Sequence, residues 1–92
     1  MDTITMKKKK TILDLENMKR QGQTAVWVTA YDAMMASYAE QAGMDMILVG
    51  DSMGMIVYGY EGTVAVTMDM SIAHCQAVRR GAPNPYILGD MP

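Results

Sequence analysis

Three apolar segments, 24–30 (TAVWVTA), 44–49 (MDMILV) and 86–89 (YILG), alternate with two stretches of helical character, and this alternation leaves the chain few folds. Asp32 is placed to cap a helix running to Ala42, with Met35, Tyr38 and Ala42 on one side and Gly43 as its stop. Thr67 is placed to cap another that carries Arg79 and Arg80 at its negative end and terminates at Gly81, before the turn residues Pro83 and Pro85. Strand, helix, strand, helix, strand, with strands that are almost wholly apolar, is the pattern of parallel βαβ units covered on both faces. The expected class is α/β. A shorter surface helix is expected ahead of these units, with Thr11 as cap, Asp14 in the first turn, Ile12, Leu15 and Met18 on one face, and Gly22 at its end. Residues 50–66, with Gly54, Gly59 and Gly62 and no helical period, read as a long loop. A sheet of only three parallel strands has long unpaired apolar edges, so the chain is expected to associate through them or to be the front of something longer.

Two of the strands end the same way: ILVGDS over 47–52 and ILGDMP over 87–92 each place an aspartate after a glycine, at Asp51 and Asp90. In a parallel sheet both emerge at the carboxyl edge, where barrels and open sheets carry their active sites. One crossover joins these strands, which are expected to be neighbours about 5 Å apart, so one cation could touch both carboxylates. Oxygen ligands in a partly open site suit Mg²⁺, and Gly50 and Gly89 would let a ligand approach the backbone. The alternative for each aspartate is a turn or cap, and for Ser52 a loop hydroxyl bonded to its own backbone. Tyr31 and Asp32 could line the same edge, although capping accounts for Asp32. His74, mid-helix without an evident acid–base partner, reads as structural.

Composition narrows the function classes. A net charge of −2 argues against electrostatic nucleic-acid binding, and the lysine run at 7–10 reads as a solvated tail within a disordered leader covering residues 1–10. No apolar stretch approaches the roughly 18 residues that span a bilayer, and the N-terminus has no secretory core, so a cytoplasmic protein without membrane partners is expected. The single cysteine, Cys75, has no disulfide or zinc partner and reads as a small core packer. The twelve methionines, among them Met34, Met44, Met46 and Met53, occupy positions where leucine would serve, which suits flexible core filler better than a copper site.

The segments TAYDAMMASYAEQAGMDMILVGDSMGMIVYGYEGTVAVTMDM and HCQAVRRGAPNPYILGDMP closely resemble the N-terminal part of the ketopantoate hydroxymethyltransferase family. TAYD, LVGDS followed by glycine, the GY-TV-VT loop and GDMP occur in order, and the likeness covers residues 11–92. The resemblance implies a (β/α)₈ TIM barrel of the phosphoenolpyruvate/pyruvate superfamily, Mg²⁺-dependent and assembled as a homo-oligomer, usually a decamer. It implies transfer of a hydroxymethyl group from 5,10-methylenetetrahydrofolate to C3 of 2-oxoisovalerate, in pantothenate and coenzyme A biosynthesis. On that likeness Asp51 and Asp90 are metal ligands that also contact the keto acid, Ser52 binds its carboxylate, and the helix after Thr11 closes the bottom of the barrel.

A barrel of this kind needs about 250 residues, so residues 11–92 are expected to form a partial barrel, its N-terminal helix followed by three strands and two crossover helices. The substrate lysine, the further metal-linked glutamate and the general-base glutamate of the family lie after GDMP, and so beyond Pro92. The expectation is therefore a partial family member with no catalytic residue up to Pro92, inactive in isolation. Another Mg²⁺-dependent keto-acid enzyme of the same superfamily, such as a lyase or mutase, and a non-catalytic, self-associating βα module are the alternatives.

Overall fold

The computed structural model describes residues 9–92, arranged as α1 (Ile12–Arg20), β1 (Trp27–Thr29), α2 (Ala33–Gln41), β2 (Met46–Val49), α3 (Met53–Ile56), α4 (Met68–Gly81) and β3 (Tyr86–Gly89). The sheet is parallel in the order β1-β2-β3, with Trp27, Val28 and Thr29 opposite Met46, Ile47 and Leu48, and these opposite Tyr86, Ile87 and Leu88. The α/β class and the adjacency of β2 and β3 are as the sequence pattern predicts. No helix among the described residues is long and apolar enough to cross a membrane.

Each long helix begins where its capping residue directs. Thr11 and Asp14 form a reciprocal capping box, Asp32 accepts the Met35 N–H at 2.7 Å, and Thr67 accepts that of Met70 at 3.2 Å. Gly22 and Gly43, at φ 71° and 86°, make the left-handed turns after α1 and α2. Gly81 differs from expectation: it is the last residue of α4, with Ala82 as C-cap. A Cβ there would run into the main chain of Ala33, so the glycine lets α4 pack closely on α2.

Right-handed crossovers between strands added in one direction put both helices on the same side of the sheet. α2 and α4 pack together there, over a core of Ala30, Ala36, Ala39, Ile47, Val49, Val78 and Ala82. This overturns the expected face of α2: Ala36 and Ala39 are buried, whereas Met35 and Tyr38 are exposed. Close helix packing leaves room only for the small residues. Among the described residues the strands are also not covered on both faces, since Trp27 and Leu88 remain 51% and 44% exposed. Among the methionines, Met53 is fully buried and Met34 is exposed, so the filler reading holds for the first and fails for the second.

Most of the predicted leader, residues 1–8, lies outside the described residues. Lys10 does not behave as a solvated tail. Its main-chain N–H bonds the Asn84 carbonyl at 2.7 Å, and its ammonium meets the Asp45 carboxylate at 2.5 Å, with both side chains mostly covered. Asp45 also accepts the Val26 N–H on its other oxygen at 2.9 Å, while its carbonyl takes the Tyr86 N–H at 3.0 Å. One residue thus ties together the entry points of all three strands at the amino edge, and the chain entering α1 is held there too.

The Lys10 hydrogen bond holds the Asp45 carboxyl below its ordinary value of 3.8, against the opposing effect of burial. A carboxyl depressed by folding contributes stability above its unfolded pKa, and that contribution is lost as pH falls through the lower folded value. Asp45→Asn is therefore expected to be less stable than the parent at pH 7, with the gap shrinking once pH falls below about 4. Urea unfolding across that pH range measures it; a gap of constant size would remove the ion pair as its cause.

Candidate active-site edge

The parallel register sets the site. Val49 pairs with Gly89, and the ladder continues one residue further, with the Asp90 N–H donating to the Val49 carbonyl at 2.9 Å. Gly50, Asp51 and Ser52 consequently leave β2 beside Asp90, which leaves β3. The Asp90 carboxylate accepts the Asp51 N–H at 3.4 Å, a long bond that lays it over the start of the turn. Asp51 and Ser52 are half-buried and Asp90 is exposed, as are Met91 and Pro92 after it, which lie in neither helix nor strand. The three predicted site residues are thus together at the carboxyl edge, opposite the Asp45 anchor.

Gly50 is buried, and a Cβ there would stand at ordinary contact distance, 3.5 Å, from both the Asp90 carboxylate and the Ser52 hydroxyl. Gly89 is more tightly placed. A Cβ there would meet the Cys75 sulfur at 2.7 Å, so this glycine makes room for α4. Cys75 packs against the core, and burial pushes its thiol pKa up, which keeps it in the neutral thiol form and agrees with its reading as a small packer.

Ser52 does not turn back onto its own backbone. Its Oγ lies 2.6 Å from the hydroxyl of Tyr31, a buried side chain at the end of β1 that packs with Met53 and Val66. The expected loop after Ser52 contains the short helix α3, for which Ser52 is the N-terminal flanking residue without a side-chain cap bond. Gly54 permits that turn to sit against Val66, whose methyl would be 2.5 Å from an added Cβ. His74 has the partners the sequence did not suggest: Nδ1 is 2.6 Å from the Tyr31 carbonyl and Nε2 is 2.8 Å from the Tyr58 hydroxyl. A carbonyl only accepts, so Nδ1 carries a proton. The neutral ring then accepts from Tyr58. Asp32 serves as the cap that the sequence predicts.

Asp51, Ser52 and Asp90 offer only oxygen donors, the type a hard cation takes. Among the described residues no group of three His, Cys, Asp or Glu side chains is arranged to hold a metal ion. Beside Asp90, an open groove of about 690 Å³ runs between α4 and β3, lined in part by Ser71, Ile72, Arg79 and Ile87. Ser71 is buried there, and its hydroxyl has no hydrogen-bond partner among the described residues.

A parallel three-stranded sheet with two helices packed on it places the chain in the α/β class, whose sites are commonly carried at the carboxyl edge of the strands. The sequence model of ketopantoate hydroxymethyltransferase matches residues 9–92, and the chain belongs to that family. It is 66% identical over 87 residues to the 3-methyl-2-oxobutanoate hydroxymethyltransferase of Alkaliphilus metalliredigens, a match covering 95% of this chain and 31% of that protein. The protein of the same description from Geobacillus kaustophilus is 60% identical over 79 residues, covering 86% of this chain and 28% of the relative. The chain thus spans about a third of the length of the curated relatives it matches.

The contact between β3 and α4 makes a compensation test possible. Gly89→Ala is expected to cost about 1–3 kcal/mol of stability by overpacking against Cys75. Combining it with Cys75→Ala, which removes the sulfur, is expected to recover most of that loss relative to Cys75→Ala alone. Equal losses in the two backgrounds, read by urea denaturation, would exclude the sulfur as the obstacle.

Proposed function

We propose that this chain supplies the first three strands of a (β/α)₈ barrel and part of the keto-acid site of a hydroxymethyltransferase. Its substrates would be 2-oxoisovalerate and 5,10-methylenetetrahydrofolate, and its place pantothenate biosynthesis. The observation that carries the proposal is the convergence of Asp51, Ser52 and Asp90 at one strand edge, in a chain of this family. The barrel reading is supported by what the sheet leaves open among the described residues: one face, both edges, and a groove beside β3 whose buried Ser71 hydroxyl has no partner among those residues. The family resemblance extends the proposal to a homo-oligomer, decameric as in the family, working in the cytoplasm.

In this reading Asp51 and Asp90 hold Mg²⁺. The ion, when bound, supplies positive charge against the negative charge that develops on the keto oxygen as C3 loses its proton. Ser52 donates its hydroxyl hydrogen to the substrate carboxylate, which can only accept, while its oxygen accepts the Tyr31 O–H. His74 is engaged through both nitrogens and Asp32 caps α2, so neither is placed to take the C3 proton. On the family resemblance, the base and the third carboxylate would lie in the remainder of the barrel, beyond the position of Pro92.

These roles are testable in the chain fused after Pro92 to the remaining residues of the Alkaliphilus metalliredigens relative. Asp51→Asn and Asp90→Asn are each expected to weaken Mg²⁺ binding by calorimetry and to cut turnover at least about 10-fold. Unchanged affinity in both variants would return the aspartates to turn residues. Ser52→Ala is expected to act mainly on KM for 2-oxoisovalerate, because a hydrogen bond to a carboxylate is worth about 1.5–3 kcal/mol and is made in ground and transition states alike. A defect confined to kcat would contradict its role.

A further inference from the structure

Ser52 can direct its hydroxyl hydrogen at a carboxylate only if something else occupies its lone pair and holds the side chain still. Tyr31 does the first, with its hydroxyl 2.6 Å away and its side chain 7% exposed. The phenol is useful only if the backbone that carries it is fixed. Tyr31 lies just past the last ladder bond of β1, which runs from the Ala30 N–H to the Leu48 carbonyl at 3.2 Å. Its carbonyl is held instead by His74, from the middle of α4 and 43 residues further along the chain.

The other side of the same imidazole holds the segment that Ser52 begins. Tyr58 follows α3, donates to Nε2 of His74 at 2.8 Å, meets the ring edge-on at 5.5 Å, and stacks on Tyr60 at 5.8 Å. The contacts close a circuit: Tyr31 to Ser52, along α3 to Tyr58, through His74, and back to Tyr31. Neither nitrogen of His74 is free to exchange a proton with a substrate while the circuit is intact. The clamp also tolerates either charge state, because Nδ1 donates in both and the Tyr58 hydroxyl can reverse from donor to acceptor.

We propose that His74 is a positioning residue, clamping the end of β1 to the segment after β2 so that Tyr31 fixes the Ser52 hydroxyl for the keto-acid carboxylate. The inference rests on Ser52 having that ligand. It gives the helix histidine a part in the site without contact to substrate.

Hydrogen exchange on the 92-residue chain tests the clamp independently of activity. The amides of Val57 and Tyr58, both bonded to the Met53 carbonyl, report on α3 and its exit. In His74→Phe they are expected to exchange about 10-fold faster, with α4 changed by less than about 3-fold, whereas a packing role alone would loosen α4 as well. His74→Gln, whose amide can meet the Tyr58 hydroxyl from near the Nε2 position, is expected to restore much of the protection, whereas His74→Asn, whose amide donates from near the Nδ1 position, keeps only the Tyr31 contact. Unchanged exchange at Val57 and Tyr58 in His74→Phe overturns the proposal and leaves the Ser52 assignment standing. In the fused full-length protein, His74→Phe is expected to raise KM for 2-oxoisovalerate about 5- to 10-fold with a smaller change in kcat, and His74→Gln to stay within about 3-fold of the parent. A raised KM for Ser52→Ala beside an unmoved one for His74→Phe also overturns the positioning role. A neutral Ser52→Ala removes the keto-acid reading and the inference built on it, while the exchange result separates that failure from loss of the clamp.

Discussion

Parallel pairing of β2 with both of its neighbours is the constraint from which the rest of the molecule follows. It brings the amino ends of three strands to one edge and their carboxyl ends to the other. The amino edge is secured by Asp45, which uses side chain and main chain to gather Lys10, Val26 and Tyr86. The carboxyl edge collects Tyr31, the Gly50–Asp51–Ser52 turn and Asp90. A slip of one residue between β2 and β3 would turn Ile87 away from the helices and also separate Asp90 from the Asp51 N–H, so core packing and site geometry are tied to the same register.

The helical layer links packing to the site in a second way. Gly81 lets α4 approach the main chain of Ala33, and Gly89 lets the same helix settle over β3 around Cys75. Only with α4 at that depth do the Nδ1 of His74 and the Tyr31 carbonyl come to 2.6 Å. Two glycines with no polar function thus set the reach of a polar contact at the strand edge. Among the described residues the opposite face of the sheet has no such layer, and Trp27 and Leu88 leave apolar surface exposed there.

Much of this is legible along the chain because it is encoded locally. The caps Thr11, Asp32 and Thr67 act within three residues, and the turn glycines Gly22 and Gly43 answer a backbone requirement at their own positions. Element type and order follow from such signals, as do Asp51, Ser52 and Asp90, since a strand-end residue in a parallel sheet has a known edge. The helix within residues 50–66 is hidden because its single turn, Met53–Ile56, is too short for a hydrophobic period and is held by packing of Met53 and Gly54 against Val66 and its neighbours. The buried side of α2 misleads for a related reason. Size, not hydrophobicity, selects Ala36 and Ala39 where two helices come close.

Read without coordinates, the chain already dictates the α/β class, the helix starts, the family, and the strand-end position of the candidate ligands, because each is written in neighbouring residues or in ordered motifs. Folding in three dimensions was needed to anchor Lys10 at Asp45, to turn Gly89 to helix packing, and to set His74 between Tyr31 and Tyr58. Those contacts join residues 16 to 43 positions apart, or depend on how deeply one element sits on another, and no local pattern carries that distance.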